Sequence, residues 1–202
     1  MGEGRGGGAD VAALVVTWRP GERITRCLDA LVAAGIYRVL VVDNGSDDGT
    51  AEVLAARTGI EVLRSPVNLG FAGGAALGLE GLGDVDLVLL VNDDAQVLPD
   101  AVDALVAAAR QPGAERVGAF TAQVLLPPDE RGVQRVNSTG NVLLPDGRGT
   151  DRDWLALSGE ASTDPDVFGF CGAAALLRQE ALDDVGSFEP GFFLYYEDTD
   201  LS

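Results

Sequence analysis

Short apolar runs alternate with helix-type patterns through the first half of this chain, and this alternation restricts the fold more than any other feature. The runs that predict strands are residues 11–17, 39–42, 60–63 and 87–91. The patterns that predict helices are residues 22–34, 47–57, 71–82 and 99–110. Strands and helices that alternate at this spacing indicate βαβ units, with a parallel sheet covered by helices on both faces.

The pattern changes after residue 117. Residues 127–166 are rich in Pro, Gly, Asp and Arg, which indicates loops and a hairpin that cover the sheet. Residues 167–178 predict another strand, and 179–185 a short helix. The glycine-rich start has no apolar core of a secretory signal and is typical of a flexible tail. We therefore expect a tail over residues 1–10 and a single α/β domain over 11–202, with halves at 11–115 and 116–202.

Charge and missing residue types exclude several classes of function. The net charge of −18 argues against nucleic acid as a partner. The chain contains no histidine, and all 14 basic residues are arginine. This excludes a Ser-His-Asp triad, a histidine-ligated zinc site, a P-loop lysine and Schiff-base chemistry. Catalysis must therefore rest on carboxylates, on a metal ion, or on both.

Cysteine usage and hydropathy suggest where the protein is found. Cys27 and Cys171 lie in apolar patterns without metal-ligand spacing, which favours two buried thiols in a reducing compartment. No run of about 18 uncharged apolar residues is present, so no membrane-spanning helix is predicted. We expect a cytoplasmic protein.

Polar clusters follow three of the predicted strands, at 17–19, 43–46 and 92–94. Ligands of open α/β sheets bind off the carboxyl ends of the strands, so one crevice could collect all three clusters. The adjacent carboxylates of Asp93 and Asp94 repel each other. Either this turn is exposed to water, or a positive charge belongs beside it.

Six motifs in a fixed order give the chain a family resemblance: VVTW, VVDNGSDDGT, NLGFAGG, VNDDA, FGFCGAAALLR and FFLYYEDTDLS. Together they resemble an inverting family-two glycosyltransferase with the GT-A fold over residues 11–202. Rhamnosyltransferase-like and galactofuranosyltransferase-like members, which make bacterial cell-surface polysaccharides, are the most similar. The resemblance implies that residues 11–115 bind the nucleotide and that 116–202 bind the donor sugar and the acceptor.

The resemblance also implies the substrates. The donor would be a UDP- or dTDP-linked sugar, and the acceptor a glycan or a lipid-linked glycan at the inner face of the plasma membrane. Peripheral association with that membrane follows from such an acceptor, and it would involve a further C-terminal part.

Several residues of the first half are implied to contact the nucleotide sugar. Asp43 would accept a hydrogen bond from a ring N–H of the base, although an aspartate in this loop is also typical of a turn or helix cap. Thr17 would contact the base or ribose through its backbone. Asn68 and Gly73 would lie near the donor, although close helix–sheet packing explains the glycine equally well. Arg19 is either a phosphate contact or a solvated loop residue.

The VNDDA motif is implied to hold Mg²⁺ or Mn²⁺. Such hard cations prefer oxygen ligands and neutralise a departing diphosphate. Asp94 would be the carboxylate ligand. Asn92 would supply a second oxygen or position a sugar hydroxyl, and Asp93 would contact the ribose or the donor sugar.

The final motif is implied to carry the reaction. Inverting transfer requires a base that removes the proton of the acceptor hydroxyl, and without histidine this base must be a carboxylate. The family pattern assigns Asp198 as the base and gives Glu197 the role of orienting the acceptor or the base. Gly172 would line the donor-sugar end. The aromatic residues of 192–196 would form either a sugar platform or part of the core.

Two departures from the family pattern leave other functions open. Related enzymes supply a histidine as a further metal ligand, which this chain lacks, and the sequence ends at Ser202, where we expect the second half to be incomplete. A nucleotide-sugar-binding fragment without transfer activity is therefore one alternative. A sugar-1-phosphate nucleotidyltransferase is another, although WRPGER stands where its phosphate loop belongs.

Overall fold

The computed structural model describes residues 11–36 and 38–202. The tail predicted over residues 1–10 lies outside this part of the chain. A six-stranded sheet in the order β3-β2-β1-β4-β10-β5 forms the centre of the fold. Its strands are β1 (Val11–Thr17), β2 (Val39–Asp43), β3 (Glu61–Arg64), β4 (Leu87–Asn92), β5 (Ala119–Thr121) and β10 (Ala174–Arg178).

The direction of the strands divides the sheet. Strands β3, β2, β1 and β4 are parallel, whereas β10 runs antiparallel to both β4 and β5. The prediction of a mainly parallel α/β sheet is therefore confirmed. The chain adds β2 and β3 on one side of β1 and β4 on the other, so the strand order reverses at β1. Open α/β sheets bind ligands at such a reversal.

Helices cover both faces of this sheet. They are α1 (Arg23–Ala33), α2 (Thr50–Ala55), α3 (Gly70–Leu82), α4 (Pro99–Ala109), α5 (Gln179–Val185) and α6 (Glu197–Leu201). On one face α3 packs with Leu14, Val42 and Leu90. On the other face α1 and α4 pack with Val15 and Val41. Successive residues of β1, β2 and β4 therefore enter two separate cores, which is why these strands are largely apolar rather than alternating. The edge strand β3 is more exposed and carries Glu61 and Arg64.

Glycines bring α3 unusually close to the sheet. A Cβ atom on Gly74 would lie 2.6 Å from Cγ1 of Val16, and one on Gly78 would lie 2.3 Å from Cδ1 of Leu14. Gly73 differs, because its Cβ would lie 2.9 Å from Cβ of Leu69, which precedes α3 and is not part of the sheet. Close packing on the sheet therefore accounts for Gly74 and Gly78, and the donor contact of Gly73 stays a prediction.

A second layer covers the sheet beyond β4. It contains the pair β6 (Val124–Leu125) with β7 (Val136–Ser138), and the hairpin of β8 (Asn141–Leu143) with β9 (Gly149–Asp151). The strand predicted over residues 167–178 is shorter than expected and begins only at Ala174. A turn precedes it, because the backbone N–H of Ala174 bonds to the carbonyl of Cys171. No helix in the described ranges is long and apolar enough to cross a membrane.

Candidate active site

The carboxyl ends of three neighbouring strands bring the predicted nucleotide residues to one edge of the sheet. Thr17 stands beside Asp43 in the β1–β2 register, and Val16 beside Asn92 in the β1–β4 register. The hydroxyl of Thr17 donates a hydrogen bond of 2.6 Å to a carboxylate oxygen of Asp93. The three polar clusters therefore meet where the strand order reverses.

Asp43 is completely buried at the end of β2. One carboxylate oxygen accepts a hydrogen bond of 3.0 Å from the backbone N–H of Ser46, as in a loop aspartate that closes a turn. The other oxygen has no hydrogen-bond partner, and Nε of Arg64 lies 3.4 Å from it. A buried oxygen without a donor is costly, so Asp43 keeps capacity for a ligand N–H while it also shapes its own loop.

Asn44, which was not among the predicted site residues, organises the next loop. Its side-chain oxygen accepts from the backbone N–H of Leu69, and its amide nitrogen donates to Gly70 O and to Asn68 Oδ1. Asn68 in turn accepts from the backbone N–H of Gly70. Asn68 therefore fixes the start of α3 through its side chain, and its contact with a donor stays a prediction. The sequence signal for this contact was the presence of one asparagine in VVDNGSDDGT and another in NLGFAGG.

Arg19 does not stand free as a phosphate contact. Its guanidinium forms an ion pair of 2.6 Å with Asp47 and lies over the ring of Trp18, with 5.0 Å between Cζ and the ring centroid. The hydrogen bond to Asp47 raises the pKa of Arg19, and the negative charge of Asp47 acts in the same direction. The arrangement fits the solvated-loop interpretation of this arginine.

In the turn after β4, Asp93 has a different environment from Asn92 and Asp94. Burial raises the pKa of Asp93, and the hydrogen bond from Thr17 opposes that shift. Below the turn, the thiol of Cys27 donates to the backbone carbonyl of Asn92 at 3.4 Å. Burial raises the pKa of Cys27 to about 12, and the charges of Asp93 and Asp94 add to this effect. Cys27 is therefore a neutral thiol that supports the turn, as the sequence predicted for a buried cysteine.

Asp94 and Asn92 remain available to a cation. The carboxylate of Asp94 is exposed and forms no hydrogen bond or ion pair within the part of the chain that the structure describes. Among the described residues, no three His, Cys, Asp or Glu side chains assemble into a metal-binding group. Mg²⁺ is often held by one or two carboxylates together with substrate phosphates, so this oxygen pair fits a shared site rather than a complete protein site.

A cavity of about 460 Å³ lies next to this edge and contains the predicted reaction residues. Asn92, Gly172, Glu197 and Asp198 all line it. Backbone contacts fix this arrangement, because the N–H of Asn92 donates to Ala173 O and the N–H of Gly172 donates to Asp198 Oδ2 at 2.9 Å. Residues that lie about a hundred positions apart in the sequence thus share one chamber.

The two adjacent acids of α6 have different environments. Asp198 accepts hydrogen bonds from the backbone N–H groups of Gly172 and of Thr199, at 2.9 and 2.7 Å. Glu197 is only 8% exposed, and its Oε2 has no partner. Burial raises the pKa of Glu197, and the charge of Asp198 raises it further. Asp198 is thus held rigidly by its donors, whereas Glu197 keeps an unsatisfied oxygen in the chamber wall.

The aromatic residues before α6 border the same cavity rather than filling the core. Leu194, Tyr195 and Tyr196 line it, and Tyr195 is 74% exposed. Phe193, Tyr195 and Tyr196 have φ values of 61°, 71° and 67°, a region that non-glycine residues rarely adopt. The core placement is therefore wrong for these aromatic residues, and their role as a sugar platform stays a prediction.

The second layer adds lining residues that the sequence did not indicate. Asn137 from β7 and Asp151 from β9 line the cavity, together with Asn141 from β8. Short strands in a loop-rich region carry no periodic signal, so these positions could not be predicted from the sequence. Their contribution is a polar wall from the second layer.

Comparison with known proteins agrees with this fold and chamber. The glycosyl transferase family 2 domain matches residues 13–186. An N-acetylglucosaminyl-diphospho-decaprenol L-rhamnosyltransferase, found in two strains of Mycobacterium tuberculosis, is 29% identical over 215 aligned positions. The alignment covers 95% of this chain and 69% of the relative.

Solved structures with the same fold are more distant in sequence. GalNAc-T7 with UDP, GalNAc and Mn²⁺ superposes with a TM-score of 0.72 at 12% identity, over 96% of this chain and 40% of that one. TarS 1–349 of S. aureus in complex with UDP superposes with a TM-score of 0.62 at 17% identity, over 95% and 53%. The chain thus spans about half the length of these structures or less.

The fold and its chamber define a GT-A glycosyltransferase domain. The chain belongs to glycosyl transferase family 2. The glycosyltransferase interpretation therefore stands over the nucleotidyltransferase and the fragment without transfer activity.

Proposed function

We propose that this domain transfers a sugar, with inversion, from a nucleotide-diphosphate donor to a lipid-linked glycan in bacterial cell-wall synthesis. The observation that carries the proposal is the single chamber that joins Asn92 and Gly172 to Asp198, directly beside the strand ends of Asp43 and Thr17. A donor placed across this edge would have its base near Asp43 and its sugar in the chamber. The mycobacterial relative supports the lipid-linked acceptor, since its name contains N-acetylglucosaminyl-diphospho-decaprenol.

The residues of the strand ends bind and orient the donor. Asp43 Oδ2 accepts from a ring N–H, which satisfies its unpartnered oxygen. Asp94 and Asn92 would hold Mg²⁺ or Mn²⁺ through their oxygens, and GalNAc-T7, solved with UDP, GalNAc and Mn²⁺, supports this choice. When bound, the cation neutralises the diphosphate leaving group. Thr17 holds Asp93 in place, and Asp93 faces the ribose or sugar.

The residues of α6 act on the acceptor. Asp198 takes the proton from the attacking hydroxyl, and the N–H groups of Gly172 and Thr199 fix the direction of its carboxylate. Each carboxylate oxygen has two lone pairs, so these donors leave room for the acceptor hydroxyl. Glu197 has a raised pKa because of its burial, and it orients the acceptor from the chamber wall.

The acceptor determines where the domain works. A lipid-linked acceptor would bring the reaction to the cytoplasmic face of the plasma membrane, with peripheral association of the protein. The net charge of −18 opposes attachment to anionic lipid by charge alone, so the acceptor itself would recruit the domain.

Calorimetric titration with UDP, dTDP and GDP, each with and without Mn²⁺, tests the proposal. One of the three should bind with a micromolar to millimolar Kd, and Mn²⁺ should strengthen that binding. If none binds at about 1 mM or below, the donor site is disproved. Asp43→Ala should lower the affinity for the nucleotide that binds. Asp29→Ala, which changes an exposed acid of α1, should leave that affinity unchanged.

A further inference from the structure

Polar side chains from the second layer line the chamber without any partner in the described chain. Asp151 ends β9, and Asn137 lies in the middle of β7. Neither side chain forms a hydrogen bond or ion pair with a residue that the structure describes. Oε2 of Glu197 is also unpartnered and buried in the same chamber. The second layer therefore has unused hydrogen-bonding capacity in the chamber at Asp151 and Asn137.

The charge of this wall restricts what can bind there. Three carboxylates line the chamber, those of Asp151, Glu197 and Asp198. An anionic group placed among them would be repelled, and an apolar group would desolvate them without compensation. A neutral ligand with several hydroxyl donors satisfies both conditions. The chemistry of this wall thus fits a sugar ring better than an anionic group that has no cation beside it.

The elements that form the wall indicate whether it contacts the donor sugar or the acceptor sugar. Asn92 and Gly172 lie beside the ends of β4 and β10, next to the nucleotide edge. Asp151 and Asn137 belong to a layer that contributes no strand end to that edge. The attacking hydroxyl must stand between the catalytic base, Asp198, and the donor sugar. The remainder of the acceptor sugar therefore extends past Asp198, away from the diphosphate of the donor.

We propose that Asp151 and Asn137 bind hydroxyl groups of the acceptor sugar and thereby select the acceptor. This inference rests on the proposed function and adds a specificity role for the second layer. Asp151 is paired with Asn141 in the β8–β9 hairpin. The amide of Asn141 donates to Phe170 O at 2.8 Å and to Thr199 Oγ1 at 3.2 Å. This pairing joins Asp151 to the helix that carries Asp198, so a hydroxyl held by Asp151 keeps a fixed position relative to the base.

Binding of free saccharides, followed by saturation-transfer NMR in the presence of UDP and Mg²⁺, tests this role without requiring turnover. N-acetylglucosamine, rhamnose and galactose serve as probes. The wild-type domain should bind one of them with a millimolar Kd. Asp151→Asn and Asn137→Ala should each weaken it by about fivefold or more, because the first replaces a charged acceptor with a neutral amide and the second removes the side-chain hydrogen bond. The affinity for UDP should not change in either variant.

A matched control comes from the same hairpin. Asp146→Asn changes an exposed aspartate of the β8–β9 turn, which pairs with Arg148 at 2.8 Å and lies outside the chamber. It should bind saccharide and UDP as the wild type does. Thermal unfolding of each variant, compared with the wild type, detects a loss of the fold.

Three results would overturn the inference. The first is a wild-type domain that binds UDP but binds no saccharide at about 50 mM. The second is an Asp151→Asn protein with the saccharide affinity of the wild type. The third is a loss of UDP affinity in Asp151→Asn, which would place this residue at the donor. Repeating the saccharide titration without nucleotide separates this inference from the proposed function. If the domain binds none of UDP, dTDP and GDP, that result counts against the proposed function alone.

Discussion

The hydroxyl of Thr17 donates a hydrogen bond of 2.6 Å to Asp93, and this bond joins the ends of β1 and β4 where the strand order reverses. Thr17 is almost completely buried, so its side chain holds the metal-motif turn and is not exposed to solvent. Thr17→Val should lower the free energy of unfolding by about 1–2 kcal/mol, because a partly buried carboxylate loses a donor. Chemical denaturation near neutral pH measures this loss.

The conservative variant Thr17→Ser separates the hydroxyl from the shape of the side chain. It should restore most of the stability and the nucleotide affinity of the wild type. If Thr17→Val and Thr17→Ser are equally destabilised, the hydrogen bond to Asp93 is not what the site requires from Thr17.

Asp94 should control the effect of the cation on nucleotide binding. Its carboxylate is exposed and unpartnered, so Asp94→Ala should not harm the fold. With Mn²⁺ present, we expect the affinity for UDP to fall at least about tenfold, which corresponds to about 1.4 kcal/mol. Without Mn²⁺, the two proteins should bind UDP alike. Calorimetry under both conditions gives the comparison.

Asp103→Ala removes the same charge from an exposed position of α4 and serves as the control. It should leave the Mn²⁺ effect intact. A Mn²⁺ effect of wild-type size in Asp94→Ala would remove this residue from the ligand set.

Asp198 should be required for transfer but not for donor binding. Asp198→Asn keeps the size of the side chain but loses basicity, and its single amide oxygen can accept from only one of the two backbone N–H groups. Transfer to a lipid-linked N-acetylglucosamine acceptor should fall about 10²–10⁴-fold, as for other losses of a general base. The Kd for UDP should be unchanged. An Asp198→Asn protein that transfers sugar at the wild-type rate would exclude Asp198 as the base.

The parts of the fold that follow periodic patterns were predictable from the sequence. The apolar runs indicated β1, β2 and β4, because strands buried on both faces are mostly apolar. The gathering of Thr17, Asp43 and Asn92 at one edge followed from parallel strands whose carboxyl ends coincide, whereas the place of Asp198 was implied only by the family resemblance. Helix α1 lies within one residue of its predicted range at each end, and Cys27 is buried on it as predicted.

The features that depend on contacts between distant loops were not predictable. Nothing in the sequence indicated that Thr17 binds Asp93, and only the asparagines of the two motifs hinted that Asn44 organises the start of α3. The lining residues Asn137 and Asp151 lie in strands of three residues, too short to show a period. Such positions are set by tertiary packing, which local propensity does not report.

Gly78 tests the close approach of α3 to the sheet. A methyl group at this position would lie 2.3 Å from Cδ1 and 3.0 Å from Cδ2 of the buried Leu14. Gly78→Ala should lower the free energy of unfolding by about 2 kcal/mol, because overpacking outweighs the helix propensity of about 1 kcal/mol that alanine gains. Gly159→Ala, at a position with open space, should change it little. A stabilised Gly78→Ala protein would contradict the packing seen here.

The buried carboxyl of Glu197 should make stability depend on pH. Its pKa is raised chiefly by burial, a backbone hydrogen bond opposes this, and the charge of Asp198 adds a smaller rise, so the folded state favours the protonated form. The stability that this group contributes is complete below the unfolded-state pKa of about 4.3, and it is lost as pH rises through the folded-state value. Between about pH 4 and pH 7, the wild type should therefore lose stability relative to Glu197→Gln.

Urea denaturation of both proteins across this range measures the difference. The amide leaves a buried polar group in place, so any constant offset between the proteins is separate from the slope with pH. Glu160→Gln, at an exposed position of a short 3₁₀ helix, should run parallel to the wild type at every pH. If Glu197→Gln also runs parallel to the wild type, the carboxyl of Glu197 is ionised at no cost in the fold, and its unpartnered oxygen must be solvated.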